Sequence, residues 1–176
     1  QPEDEGSLLS YLDKFHYPMW ITQFYENIAT VTESIVDEAA ESGVRTLELR
    51  YSPIIHTFAG LTPRQAIRAV LSGMNHANKR HGMKLGLIVI AMRQHGPHIA
   101  KILARSAISE AQHLHARTGV VGFDIAGPES VMFEVADYRR VLRRARQFGL
   151  GITIHTGESG PIDEVARVVE LLEPDR

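Results

Sequence analysis

Lys84-Leu85-Gly86-Leu87-Ile88-Val89-Ile90-Ala91-Met92 is the stretch of this sequence that decides its fold. The run is almost continuously apolar, which is typical of a strand in a parallel sheet whose two faces are both buried. His81-Gly82, just before the run, ends a helical pattern, and Pro97, shortly after it, opens another. The stretch therefore predicts a buried parallel strand that lies between two helices.

Strand and helix patterns alternate on either side of this stretch. Segments with helical spacing, opened by proline or closed by glycine, separate short segments with strand-like patterns. Strands that follow one another through helices lie parallel, with right-handed crossovers. The predicted strands are 44–51, 84–92, 120–126 and 150–155, and the predicted helices are 62–80, 97–118, 133–148 and 161–172.

The chain before the first strand carries helical patterns only. Ser7 is the predicted N-cap of a first helix, and a second helix is predicted over 22–42, with Gly43 at its end. We therefore predict one domain, with a helical segment over 1–43 and four strand–helix units over 44–176. The predicted apolar stripe of the second helix consists of Phe24, Ile28, Val31, Ile35 and Ala39.

The predicted strands have one face of apolar residues and an opposite face of small or polar residues. Glu48, Arg50, Asp124 and His155 fall on the polar face, close to the carboxyl ends of their strands, where ligand sites of parallel α/β proteins lie. Two architectures fit the alternation, an open doubly wound sheet and part of a (β/α)8 barrel. An open sheet is covered by helices on both faces, so the polar face favours a barrel interior. The predicted fold class is α/β, a partial (β/α)8 barrel of about four units.

Composition excludes several classes of protein. Of the 176 residues, 44% are hydrophobic and 23% charged, and the formal net charge is -2. Nothing in these values favours binding to nucleic acid or to an anionic membrane. The absence of cysteine excludes disulfides and thiolate metal sites. The polar start carries no signal-peptide pattern and no apolar stretch reaches membrane length, so we expect a cytoplasmic protein. We expect both ends to be cuts in a longer or processed chain.

His155-Thr156-Gly157-Glu158 is the sharpest local motif. Neutral imidazole is a good zinc ligand, and a nearby carboxylate can move protons to a substrate or from a metal-bound water. The alternative is structural: a core histidine bonded to a backbone carbonyl and a solvated loop glutamate. Spacing alone favours that alternative.

Asp124-Ile125-Ala126-Gly127-Pro128-Glu129 is the second motif. Gly127 can present a bare backbone N–H to a ligand. The alternative is an ordinary turn beside an aspartate that pairs with Arg50 or Arg93. For Arg50 itself we favour a structural pair with Glu48, because a buried charge needs a partner. Sequence signatures of P-loop proteins, zinc proteases and serine hydrolases are absent.

Together these segments resemble the adenosine deaminase family. The resemblance lies in Gly43 to Pro53, Ala91-Met92-Arg93, Phe123 to Gly127 and His155 to Glu158, which occur in the family's order with similar spacing. Tyr11-Leu12-Asp13-Lys14-Phe15 resembles the helical lid segment that precedes them. The chain would then carry strands two to five of a zinc-dependent (β/α)8 barrel.

The resemblance also implies roles for individual residues. The family hydrolyses the 6-amino group of a purine and releases ammonia. His155 would be a zinc ligand, and Glu158 would donate a proton to the ring nitrogen beside the amino carbon. Gly127 would offer its backbone N–H to another purine nitrogen, and Phe15 would line the lid. The partner would be a purine nucleoside. Adenosine fits best, with adenine and aminofutalosine left open.

The sequence departs from the family in what it lacks. No H-x-H pattern, as on the family's first strand, occurs before Val44, and the family's later histidine and aspartate pair would lie beyond Arg176. One histidine cannot hold catalytic zinc, which needs about three protein ligands. We therefore predict that the chain alone is inactive, binds zinc weakly or not at all, and self-associates through its open strand edges. Thr156 also replaces the family's usual alanine.

Two rival hypotheses remain at this point. In the first, the chain is a truncated, non-catalytic relative that binds a ligand or a partner. In the second, it belongs to an unrelated barrel enzyme in which His155 and Glu158 are only structural.

Overall fold

A computed structural model of the chain describes residues 14, 16–111, 118–129 and 134–176. The strands form one parallel sheet, and each is paired with its neighbour in sequence. In chain order the strands are β1 (Thr46–Tyr51), β2 (Lys84–Met92), β3 (Val120–Ala126) and β4 (Gly151–Ile154). The helices are α1 (His16–Ile21), α2 (Tyr25–Glu41), α3 (Pro63–His81), α4 (Gly96–Ser109), α5 (Val135–Gln147) and α6 (Ile162–Leu172), with short 3-10 turns at Pro53–His56 and Arg93–His95. The predicted alternation of parallel strands and helices is confirmed.

Local signals explain where the elements begin and end. At the start of α3, the Thr62 side chain accepts a hydrogen bond from the Gln65 backbone, and the Gln65 side chain accepts one in return. This capping box satisfies N–H groups that the first turn leaves free. Gly82 then ends the helix in the left-handed conformation, at φ 65°.

The core lies between the sheet and its covering helices. Phe123, Ile125 and Ile152 are fully buried, as are Ile67 and Met74 of α3. Burying one such side chain away from water contributes about 1.5–3 kcal/mol to the stability of the fold. The central strands β2 and β3 are almost wholly buried, whereas β1 and β4, the outer strands of the sheet among the described residues, are partly exposed.

Strand register brings the polar residues of the opposite face to one end of the sheet. Arg50 pairs with Ile88, and Asp124 pairs with Ile90 on one side and Thr153 on the other. His155 follows β4 directly, and its backbone N–H still donates to the Ile125 carbonyl at 2.9 Å. Side chains from β1, β3 and the end of β4 therefore meet on the inner face.

The helix predicted over 22–42 begins later than predicted, and only Ile28 and Ala39 of its predicted stripe pack in or against the core. Helix α2 begins at Tyr25, and Phe24, Val31 and Ile35 are 57%, 41% and 43% exposed. Because α2 packs on α3 through a different face, its buried residues are Ile28, Thr32 and Val36. At the crossing, a Cβ on Gly73 would lie 2.2 Å from the Ala29 carbonyl oxygen. Val31 and Ile35 instead line an apolar cavity of about 660 Å³ beside β1.

Several predicted features fall outside the described residues. These are Ser7, the lid segment up to Phe15 apart from Lys14, the last part of the helix predicted over 97–118, and Phe133. Within the described ranges, α4 ends at Ser109 and α5 begins at Val135. No helix in those ranges is both long enough and apolar enough to span a bilayer.

Candidate active site

A cleft of about 360 Å³ opens beside the ends of β1 and β4. The stretch from Thr153 to Glu158 forms one wall, and Arg50, Ile88 and Arg176 form the rest. His155 and Glu158, both predicted as site residues, therefore line the same cleft. Glu158 is exposed to solvent there, while His155 is partly buried.

Arg50, Asp124 and His155 form a polar group at the base of this cleft, here called the inner-face cluster. Asp124 is fully buried and accepts a hydrogen bond from the Arg50 guanidinium. Its carboxylate also lies 3.1 Å and 3.3 Å from Nδ1 of His155. Arg50 closes the triangle, with Nη2 at 3.0 Å from that same nitrogen. A buried carboxylate is stable only when it is paired in this way.

These contacts decide between the alternatives that the sequence leaves open. Asp124 pairs with Arg50 rather than with Arg93, and the predicted pair between Arg50 and Glu48 is wrong. Glu48 instead pairs with Arg176 at 2.8 Å. The side chain of His155 lies against a carboxylate, not a backbone carbonyl. Arg50 turns toward Asp124 because that carboxylate is fully buried and needs a counter-charge, whereas Glu48 reaches solvent.

Electrostatics at His155 follow from the same geometry. The hydrogen bond with Asp124 raises the pKa of His155, while burial and the Arg50 charge lower it, and the net shift is upward. The carboxylate also binds Nδ1, which sets the orientation of the ring. In metal sites a carboxylate behind the ligating histidine has this same orienting role.

The described residues do not form a complete metal site. Across residues 14, 16–111, 118–129 and 134–176, no three His, Asp or Glu side chains converge as ligands. Both oxygens of Asp124 already face His155, and one of them also binds Arg50. His155 is the one imidazole that the described residues bring to this cleft, and Nη2 of Arg50 lies 3.3 Å from its Nε2. A catalytic zinc needs about two more protein ligands.

Gly127 lies outside the cleft that holds His155 and Glu158. Its φ of 108° and its tight surroundings explain the glycine, because a Cβ would lie 2.3 Å from Oε1 of Gln94. The neighbouring Pro128, together with Met92 and Gln94, lines the apolar cavity on the β1 side. Phe15, the predicted lid residue, lies outside the described residues.

Two residues without a predicted site role hold the cleft wall in place. Buried Arg93 donates to the backbone carbonyl of His155 and lies 3.3 Å from Glu164. Glu129 accepts hydrogen bonds from three backbone N–H groups of the loop that carries Glu158. The only sequence signal for Glu129 was its place in a loop after β3, which does not reveal a partner 28 residues away.

Comparison with known proteins identifies the family. The family model described as adenosine deaminase matches residues 1–176.

The chain belongs to the adenosine deaminase family.

The resemblance found in the sequence is thereby confirmed. An adenosine deaminase of Clostridium perfringens is 32% identical over 175 residues, covering 99% of this chain and 51% of that protein. One of Clostridium botulinum is 31% identical with the same coverage. The chain thus spans about half the length of the relatives it matches.

Solved structures show the fold. The adenine deaminase of Arthrobacter aurescens superposes with a TM-score of 0.83 at 22% identity, covering 99% of this chain and 51% of that one. An amidohydrolase of Burkholderia ambifaria with bound zinc superposes with a TM-score of 0.78 at 23% identity, covering 97% of this chain and 45% of that one. The N6-methyl-AMP deaminase of Arabidopsis thaliana superposes with a TM-score of 0.76 at 23% identity, covering 96% of this chain and 49% of that one. The fold is a partial (β/α)8 barrel, as predicted.

Proposed function

We propose that the whole protein containing this chain hydrolyses the 6-amino group of adenosine or a related aminopurine and releases ammonia. The observation that carries the proposal is the placement of His155 and Glu158 in one cleft at the strand ends of an adenosine deaminase-family barrel. Adenosine is the first candidate substrate because the two relatives named above, at 32% and 31% identity, are adenosine deaminases. Adenine and N6-methyl-AMP are the alternatives that the structural neighbours support.

Each proposed role matches the chemistry of its group. Glu158 donates a proton to the ring nitrogen beside the amino carbon, which makes that carbon a better acceptor for water. Gly127 offers its N–H to another ring nitrogen, and the absence of a side chain at this position lets the Gln94 side chain pack against it. His155 would be one ligand of a zinc ion whose other ligands lie outside the described residues. Bound zinc would lower the pKa of a water molecule toward neutrality.

Substitution in the whole protein tests these roles. Glu158→Gln keeps the shape but removes the proton, so kcat for adenosine should fall by about 10²- to 10⁴-fold. Glu170→Gln is the matched control, because Glu170 is exposed on α6 and away from the cleft. His155→Ala should remove both bound zinc and activity. Adenosine deamination that survives both site substitutions would refute the proposal and favour an unrelated barrel enzyme.

We further propose that the 176-residue chain alone is inactive and holds zinc weakly, since its described residues provide one imidazole ligand at the cleft. Metal analysis after dialysis against zinc, combined with an ammonia-release assay, tests this. Sustained turnover by the purified chain would contradict it.

Self-association of the isolated chain should use the β1 edge of the sheet. At the β4 edge, the backbone N–H of Ile154 donates to Arg176 and that of Asp175 donates to Ile152, so residues of the C-terminal segment already occupy it. Among the described residues no strand pairs with the free side of β1, and unpaired edges attract other chains. Light scattering at rising concentration should show dimers or larger species; a monomer throughout would contradict this.

A ligand- or partner-binding role without catalysis is the second candidate. The observation that favours it is the apolar cavity of about 660 Å³ beside β1, which is large enough for a small molecule. Retained binding of a purine nucleoside by a whole protein that lacks deaminase activity would support it.

A further inference from the structure

The loop formed by residues 157–160 wraps around one carboxylate, that of Glu129. Oε1 accepts from the backbone N–H of Gly157 at 2.5 Å, and Oε2 accepts from those of Ser159 and Gly160 at 2.5 Å and 2.7 Å. The Ser159 hydroxyl also donates to Oε2, at 3.3 Å. Both carboxylate oxygens are therefore engaged, and every residue of the loop except Glu158 donates to them.

The local sequence is suited to this arrangement. A Cβ on Gly160 would lie 3.2–3.3 Å from the carboxylate atoms of Glu129, so a side chain there would press on the contact. Gly157 has a φ of 75°, and a Cβ there would lie 2.7 Å from Val165. Without this acceptor the three loop N–H groups would need water or another partner. The loop thus depends on a carboxylate that another loop supplies.

The charge of Glu129 fits the same role. Partial burial raises the pKa of Glu129, but the N–H groups of Ser159, Gly160 and Gly157 outweigh it and leave the pKa below its usual value. The residue is therefore ionised at neutral pH, and charge-assisted bonds of this kind are about twice as strong as neutral ones. No proton is available on Glu129 for the reaction itself.

We propose that Glu129 is a positioning residue, which fixes the 157–160 loop and thereby the place of the Glu158 carboxyl group in the cleft. This inference rests on the proposed function, in which Glu158 is the proton donor. Glu129 lies two residues after Gly127 on the same loop. One carboxylate therefore couples the two loops that carry the proposed substrate contacts.

Glu129→Gln in the whole protein is the first test. The amide replaces one accepting oxygen by an NH₂ group that faces N–H donors, so the loop loses at least one of its anchors. Displacement of a reacting group by about 1 Å can cost 10²-fold in rate, and we expect a loss of about that size in kcat with a smaller change in KM. Glu129→Asp retains the charge on a shorter side chain and should recover part of the loss.

Glu134→Gln is the matched control. Glu134 lies five residues further along the sequence and is exposed. Its side chain lies 3.5 Å from Arg167 and accepts from the first turn of α5, and no other partner of it lies within the described residues. Its substitution should leave kcat unchanged. An unchanged kcat in Glu129→Gln, or a loss confined to KM, would overturn the inference.

Amide hydrogen exchange in the unmodified protein gives a test that does not depend on how the variants fold. The N–H groups of Gly157, Ser159 and Gly160 should exchange more slowly than that of Glu158. Equal rates along the loop would overturn the inference even if the enzyme is active. Inactivity of the unmodified protein toward aminopurines, with this protection pattern present, would instead refute the proposed function alone.

Discussion

Two charged clusters use the same chemical groups in different surroundings. The inner-face cluster joins Asp124, Arg50 and His155 around a carboxylate that is fully buried. The second cluster, here called the helix cluster, lies on the outer surface between α2 and α3 and has no member as deeply buried. It consists of Glu33, Asp37, His76, Arg80 and His81.

The difference between them is one of solvation. In the helix cluster, Arg80 lies 2.6 Å from Glu33 and 2.7 Å from Asp37, yet all three side chains keep access to water. Water screens such pairs and can replace them, so they contribute little to stability. Asp124 is fully buried, so water cannot replace its partners, and its charge is stable in the fold only while Arg50 and His155 contact it. The comparison teaches that burial of the acceptor, rather than the number of ion pairs, decides which cluster the fold depends on.

Asp124→Ala should have the largest effect. It leaves Arg50 and His155 without their shared acceptor and opens space beneath the cleft. We expect the free energy of unfolding to fall by about 3 kcal/mol, the lower end of the range for breaking a buried pair, because Arg50 remains 39% exposed. Urea denaturation measures this change. Asp37→Ala is the control, and an equal loss there would contradict the comparison.

Arg50→Gln should rank second. Asp124 would keep the contact with His155 and could gain a neutral hydrogen bond, so the loss should be about 1–2 kcal/mol. The same denaturation experiment applies. A variant as stable as the parent would mean that His155 alone satisfies the buried carboxylate.

The effect of burial on a charged group can also be tested at His56, through the pH dependence of stability. Burial lowers the pKa of His56, although its hydrogen bond of 2.8 Å with the Thr22 carbonyl acts in the opposite direction. The unfolded chain therefore binds the proton more tightly, and stability should fall as pH drops from about 6.5 toward the folded-state pKa. Unfolding curves of the parent and of His56→Gln between pH 7 and 5 test this. The variant should lose less stability over that window.

The helix cluster should show the smallest effect. Hydrogen bonds from Arg80 lower the pKa of Glu33 and of Asp37, burial acts in the opposite direction, and the net shift is downward for both. Their contribution is present above the unfolded-state pKa of about 4 and is lost as pH falls through the folded values. Arg80→Gln should leave stability at neutral pH within error and only weaken the acid and salt dependence. A large loss at neutral pH would show that the surface pairs matter after all.

Sequence reasoning predicted the strands and helices, and it predicted two of the residues that line the cleft. The strand at Lys84–Met92 and its neighbours follow from local patterns, because parallel strands between helices are apolar by necessity. His155 and Glu158 were found because they lie close together in sequence next to a glycine. Glu129 was missed because its three donors lie 28 to 31 residues away. The apolar stripe of α2 was misjudged because spacing shows which residues share a helix face, not what that face meets.

By itself, the sequence determined the order and direction of the strand–helix units, the family resemblance, and the residues on the polar face. These depend on local periodicity, on glycine and proline, and on short motifs. Tertiary structure alone decided that Arg50 pairs with Asp124 and not with Glu48, that Val31 and Ile35 line a cavity, and that Glu129 holds the loop of Glu158. The physical reason is that each of these depends on which groups share a buried volume. Only the packing of segments distant in the chain determines that.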